Sequence, residues 1–206
     1  MNVVVLGGAG RTGSLVARVA RKAGHEVTLL VRDASRVADG AGLRILSGDA
    51  TDGAAIARAL KGQDGLISTL GSHSMLRSDI ARPAATQFVP IAEAERLRRV
   101  IVMSAFGVGA TADQATTAVR TAFATVLRSL YRDKTAGDDI VRRSTLDWTI
   151  VHPVTLTDGA GTGRFTATER LTSGRGRTIS RADVAEFLVA SLVSPEWSRR
   201  TVVVAS

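Results

Sequence analysis

Residues 7 to 13, Gly-Gly-Ala-Gly-Arg-Thr-Gly, set spaced glycines between an apolar run, Val3 to Leu6, and the start of a helical pattern. That combination suits binding of a phosphate pair. Gly7 or Gly8 makes the tight turn off a strand, Gly10 lets backbone approach a pyrophosphate without a Cβ in the way, and Gly13 lets the helix pack closely on the strand. Arg11 and Thr12 open that helix, whose free N–H groups and positive dipole end attract anions. Two registers fit, Gly7-x-x-Gly10-x-x-Gly13 and Gly8-x-Gly10-x-x-Gly13, and spacing alone does not choose between them.

A second apolar run ends Leu29-Leu30-Val31-Arg32-Asp33, about 20 residues past the glycines. A carboxylate there accepts hydrogen bonds from an adenosine ribose and repels an added 2′-phosphate, whereas a guanidinium grips that phosphate with two hydrogen bonds. Arg32 therefore points to NADP(H), with Arg11 and Arg36 as further contributors to the same pocket, and Asp33 keeps NAD(H) as the minority reading. Gly48-Asp49 follows the third strand, where a short acidic side chain reaches the adenine amino group; Asp49 can equally cap the helix that starts near Asp52. Leu70-Gly71 closes the fourth strand with a backbone able to approach the nicotinamide ribose, or marks a plain turn.

These residues need a scaffold of alternating strands and helices, and the pattern supplies one. Short β-branched runs predict strands at Val3–Leu6, Glu26–Val31, Leu43–Leu46, Gly65–Thr69, Val100–Met103, Thr149–Val151 and Thr201–Val204. Helical periodicity between them covers Thr12–Ala23, Gly53–Leu60, Pro83–Arg96, an Ala/Thr/Leu-rich region from about Ala115 to Arg143, and Arg181–Val193. Pro83 suits a first helical turn, Asp52 an N-cap, and Ser180 with Asp183 a capping arrangement. Repeated βαβ units of this kind predict an α/β fold, a Rossmann-type doubly wound parallel sheet with helices on both faces. One domain over residues 1–206 is expected, with residues 72–82 and 152–176 as substrate-side loops at the carboxyl ends of the strands.

Composition removes several function classes. No apolar stretch approaches the eighteen or so residues of a membrane span, and the N-terminal run lacks the basic region of a secretion signal. The chain has no cysteine, which excludes disulfides and thiolate chemistry and is compatible with a cytoplasmic setting. A net charge of +8 raises nucleic acid as a partner, yet Lys22, Lys61 and Lys134 are the only lysines among 27 basic residues and the arginines are scattered. Aromatic residues make up 4% of the chain, too few for a base-stacking surface, so no nucleic-acid role is expected. His25, His73 and His152 have no partners at metal-ligand spacing, and no metal is expected. A monomer or a homodimer fits the pattern.

With these residues laid out, the chain resembles the atypical short-chain dehydrogenase/reductases, in the branch of the nitrogen-repression-type NADP sensors and the flavin/biliverdin-B reductases. The likeness rests on Gly-Gly-Ala-Gly-Arg-Thr-Gly, Leu-Val-Arg-Asp-Ala-Ser-Arg, Gly-Asp-Ala-Thr-Asp, Ala-Leu-Lys-Gly-Gln-Asp, Val-Met-Ser-Ala-Phe-Gly, Leu-Asp-Trp-Thr-Ile-Val-His-Pro and Ile-Ser-Arg-Ala-Asp-Val-Ala-Glu-Phe-Leu, in that order. Ser104 matches the family's active-site serine, which hydrogen-bonds a substrate carbonyl or the nicotinamide amide. Catalytic relatives place a tyrosine four residues before a lysine; this chain has Tyr131-Arg132-Asp133-Lys134, three apart and still on one helix face. The resemblance implies that Tyr131 supplies a proton and Lys134 lowers its pKa and holds the nicotinamide ribose. Relatives often carry Arg-Pro where this chain has His152-Pro153. Pro153 fixes the exit from the strand, and His152 is either an acid-base group or a strand-end histidine satisfied by backbone. Flavin/biliverdin-B reductases use a histidine slightly further along, where this chain has Thr155.

The expectation is an NADPH-dependent reductase of a small quinone, flavin or carbonyl acceptor, with Met75, Leu76, Phe106 and Val108 either walling the acceptor pocket or filling core. A non-catalytic NADP(H) sensor acting through a protein partner is the second reading. A nucleotide-sugar epimerase or dehydratase is the third, and needs a larger substrate domain than 206 residues readily provide.

Overall fold

A computed structural model describes residues 1–37, 42–71, 79–114, 128–171 and 178–206. Its strands are β1 (Asn2–Leu6), β2 (Glu26–Val31), β3 (Arg44–Ser47), β4 (Gly65–Ser68), β5 (Arg99–Met103), β6 (Trp148–Pro153), β7 (Thr155–Thr157), β8 (Thr166–Thr168), β9 (Thr178–Ser180) and β10 (Arg200–Ala205). The α-helices are α1 (Arg11–Lys22), α2 (Gly53–Leu60), α3 (Ala81–Ala94), α4 (Arg128–Arg143) and α5 (Arg181–Ala190), with 3₁₀ turns at Ala34–Arg36 and Gly109–Gln114.

Eight strands form one sheet in the order β3-β2-β1-β4-β5-β6-β10-β8, parallel except for β8, which runs antiparallel to β10. The chain steps outward from β1 to β3 and then returns to place β4 on the other side of β1. A crevice opens at such a reversal, beyond the carboxyl ends of the strands. β1 shows why the sheet is covered twice: Val3 and Val5 enter the core under α1 and α5, while Val4 and Leu6 enter the one under α2, α3 and α4. A strand buried on both faces reads as an unbroken apolar run, which is how Val3 to Leu6 reads.

Three helix starts have side-chain acceptors, two of them local. Asp52 caps α2 by accepting from the Ala54 amide at 3.0 Å, and Ser180 caps α5 by accepting from the Asp183 amide at 2.9 Å. The third is long-range. The Asp133 carboxylate, on α4, accepts from the amides of Ile80, Ala81 and Arg82 at 3.1, 2.8 and 3.0 Å. Pro83 comes next and has no amide to satisfy, so a first turn normally short of four partners lacks none. This is why α3 begins two residues ahead of Pro83.

The structure corrects other boundaries. Residues 152–171 are not all loop, because β6 extends through Pro153 and the stretch also supplies β7 and β8. β7 pairs with β9 in a separate two-stranded sheet, and Asp183 pins the next bend by accepting from the amides of Thr162 and Gly163 at 2.9 and 2.8 Å. Of the first expected substrate-side loop only residues 79–82 are described, and they enter α3; His73, Met75 and Leu76 lie outside the described residues. The same holds for residues 115–127 ahead of α4, and for residues 172–177. The last helix stops at Ala190 rather than Val193.

Candidate cofactor cleft and active site

The crevice at the strand reversal is a cleft of about 120 Å³ lined by Gly7, Gly10, Arg32, Arg36, Asp49, Leu70 and Gly71 among others. The structure needs a glycine at both alternative positions, since a Cβ on Gly8 would stand 2.8 Å from the Leu29 side chain. Gly7 takes φ +83°, a left-handed turn that a side chain disfavours, and a Cβ on Gly13 would stand 2.2 Å from the Gly7 carbonyl oxygen. Gly10 is the N-cap of α1, with no side-chain cap and no acid in the first turn, so the leading amides of Arg11, Thr12 and Gly13 have no capping side chain among the described residues. That fits a dinucleotide pyrophosphate.

Arg32 and Asp33 both line the cleft, with different commitments. The Asp33 carboxylate accepts from the Ser35 amide at 3.0 Å and the Ser35 hydroxyl at 2.7 Å, capping the 3₁₀ turn, and those bonds hold its pKa below the usual carboxylate range. Arg32 and Arg36 remain exposed on the lining. Asp49 also lines the cleft while accepting from the amide and hydroxyl of Thr51, both at 2.8 Å, which with the nearby Arg32 charge lower its pKa. It shapes the turn before α2; the cap itself is Asp52. Arg11 does not line the cleft. Its guanidinium pairs with Asp158, which also accepts from Arg181 at 2.6 Å, so Arg11 ties the start of α1 to the segment after β7.

Leu70 also lines a second, smaller hollow of about 20 Å³, which adjoins the cleft and contains Ser104, Lys134 and Asp138. Ser104 ends its strand by donating its hydroxyl to Asp138 Oδ2 at 2.9 Å. The same oxygen lies 3.1 Å from His152 Nε2, and His152 Nδ1 lies 2.8 Å from the Thr111 hydroxyl, which accepts from the Gly107 amide at 2.8 Å. All four side chains are buried. A carboxylate only accepts, so Nε2 carries the proton toward Asp138. His152 is thus held by side chains, not by the backbone groups the sequence reading offered as one alternative. Lys134 is 8% exposed, and burial lowers its pKa while Asp138 and Asp133 act in the opposite direction.

Ser104 and Lys134 come together as expected; Tyr131 does not join them. Its hydroxyl donates to the Phe106 carbonyl at 3.2 Å, and burial pushes its pKa up to about 12, away from what a proton donor near neutrality needs. Pro153 lies inside β6 and lines neither hollow. Val108 is fully buried and Phe106 packs against the core. Sequence reasoning missed Asp138 and Thr111. Asp138 carried a signal, one helical turn past Lys134 on the same face. Among the described residues no group of three or more His, Asp or Glu side chains could hold a metal ion, and no helix is long and apolar enough to cross a membrane.

A family model described as NAD(P)H-binding matches residues 7–195. The uncharacterized sugar epimerase YhfK of Bacillus subtilis is 32% identical over 203 residues, covering 93% of this chain and 88% of its own. The UPF0659 protein YMR090W of Saccharomyces cerevisiae is 39% identical over 71 residues, about a third of either chain. Among solved structures, the anaerobillin reductase ChuY from Escherichia coli O157:H7 superposes with a TM-score of 0.83 at 23% identity, covering all of this chain and 97% of its own. A short-chain dehydrogenase/reductase from Veillonella parvula in complex with NADP gives 0.82 at 17%, covering all of this chain and 94% of its own. At those identities the likeness is one of fold. The family model's match over most of this chain's length makes it a member of the NAD(P)H-binding family.

Proposed function

We propose that the protein is an NADPH-dependent reductase of a small quinone, flavin or carbonyl acceptor. The observation that carries the cofactor choice is at the end of β2, where Arg32 and Asp33 both line the cleft but the Asp33 carboxylate is already committed to the amide and hydroxyl of Ser35. NADPH, when bound, supplies the hydride. The amides opening α1 hold the pyrophosphate, Arg32 with Arg36 reads the 2′-phosphate, and Lys134 offers ammonium donors to the nicotinamide ribose. Ser104 orients the acceptor or the cofactor amide beside it. Water supplies the proton of the reduced acceptor, since the Tyr131 hydroxyl is tied to Phe106. The work of the chain is positioning and exclusion of bulk solvent.

The test is NADPH oxidation by purified protein against quinones, FMN, biliverdin and small aldehydes, with NADH in parallel. Acceptor-dependent turnover that prefers NADPH is expected. Tight NADPH binding with no turnover across that panel would replace the reductase by the sensor, a reading that the tied-down Tyr131 favours. Interconversion of nucleotide sugars without net cofactor consumption would replace it by the activity that the name of YhfK gives to that protein.

A further inference from the structure

Ser104 has one hydrogen to give, and the structure shows where it goes. Asp138 Oδ2 receives it at 2.9 Å and is itself fixed by His152 at 3.1 Å, with His152 held in turn by Thr111 and the Arg142 guanidinium 3.8 Å from the same oxygen. Both Asp138 and His152 are almost or wholly removed from solvent. A hydroxyl carries one donor and two acceptor lone pairs, so a serine whose proton is engaged by a buried carboxylate presents only lone pairs to a newcomer. Its newcomer must be a donor. The carbonyl of an acceptor substrate is the wrong partner, and so is the carbonyl half of the nicotinamide carboxamide; the amide N–H₂ is the right one.

We propose that Asp138 is a positioning residue that makes Ser104 a hydrogen-bond acceptor for the carboxamide N–H₂ of NADP(H), so that this serine sets the orientation of the nicotinamide ring instead of polarising the substrate. The inference rests on the reductase reading for the identity of the cofactor. His152 and Thr111 keep the carboxylate from swinging away, which gives the buried chain from β5 through α4 to β6 a purpose beyond packing. Removing the Asp138 acceptor frees the serine proton and removes the preference.

The experiment measures equilibrium binding of NADPH and of its reduced 3-acetylpyridine analogue, in which a methyl group replaces the amide nitrogen. Wild-type protein is expected to bind NADPH about tenfold more tightly, the worth of one well-made hydrogen bond. Ser104→Ala and Asp138→Ala are expected to bring that ratio close to one by weakening NADPH while leaving the analogue unchanged. A purely structural role for Asp138 would weaken both ligands alike and overturn the proposal. So would a wild-type ratio near one, or a Ser104→Ala protein that keeps the ratio and loses kcat, since that serine would be serving the substrate. Should Asp138→Ala not fold, the wild-type ratio and Ser104→Ala decide the matter. Wild-type protein that binds neither ligand overturns the cofactor reading and this inference together, whereas a failed ratio with NADPH still tightly bound overturns this inference alone.

Discussion

Arg32 and Asp33 are adjacent in the chain and both line the cleft, yet only Asp33 is also engaged in closing a turn. The Ser35 bonds decide this, because a carboxylate that has already accepted an amide and a hydroxyl gains less from a ribose. Replacing Arg32 by Ala is expected to weaken NADPH binding tenfold or more, the scale of a charge-assisted hydrogen bond, and to leave NADH almost unchanged; titration with both cofactors checks it. Tyr131 offers a second test because it is the chain's one tyrosine. Burial raises its pKa to about 12, so the folded state holds a proton that an unfolded chain releases near 10. Stability from this group is therefore whole below pH 10 and is lost as pH climbs toward 12, and absorbance titration is expected to find the phenol ionising near 10 in denaturant and well above it in the native protein. Spacing in the sequence pointed to Gly7, Gly10 and Arg32, and the family resemblance to Ser104 and Lys134, at positions that line the cleft or the hollow beside it. The partners of Ser104 were not legible, because Thr111, Asp138 and His152 meet only after three elements have packed.

Element by element, the sequence showed strands and helices where a single period runs unbroken. It failed where an element is short or is completed from elsewhere. β7 and β8 have three residues each, too few for alternation to register, and threonines and glycines around them resemble a loop. The start of α3 depends on Asp133, some fifty residues downstream, which no local pattern reveals. Removing that carboxylate leaves three amides at the head of α3 unpaired. Asp133→Ala is expected to cost about 2 kcal/mol, at the upper end for a helix cap, and Asp133→Asn about half of that, seen as lower urea midpoints at unchanged slope.

At the scale of the whole molecule the doubly wound parallel sheet followed from the alternation of elements, and with it a ligand side at the carboxyl ends of the strands. The antiparallel β8 beyond β10 was not foreseeable, since nothing in a parallel rhythm announces a reversed edge. Because the cleft is built from the ends of β1 to β4, which are distant in sequence, a ligand there binds the folded chain and not the unfolded one. NADPH at a hundred times its Kd is therefore expected to add about 2.7 kcal/mol of stability, raising Tm by roughly 5 to 10 °C in a thermal melt, and NADH at the same concentration to add clearly less.

The remote cap on α3 also bears on how the chain is made. A ribosome completes α3 at Ala94 and adds Asp133 roughly forty residues later, an interval of about 2 to 8 s at ordinary elongation rates. Throughout that interval the helix has its apolar face but not the acceptor that closes its first turn. The nascent chain thus carries an unfinished helix beside the strand reversal for seconds, and that exposed segment is where a chaperone would find its hold.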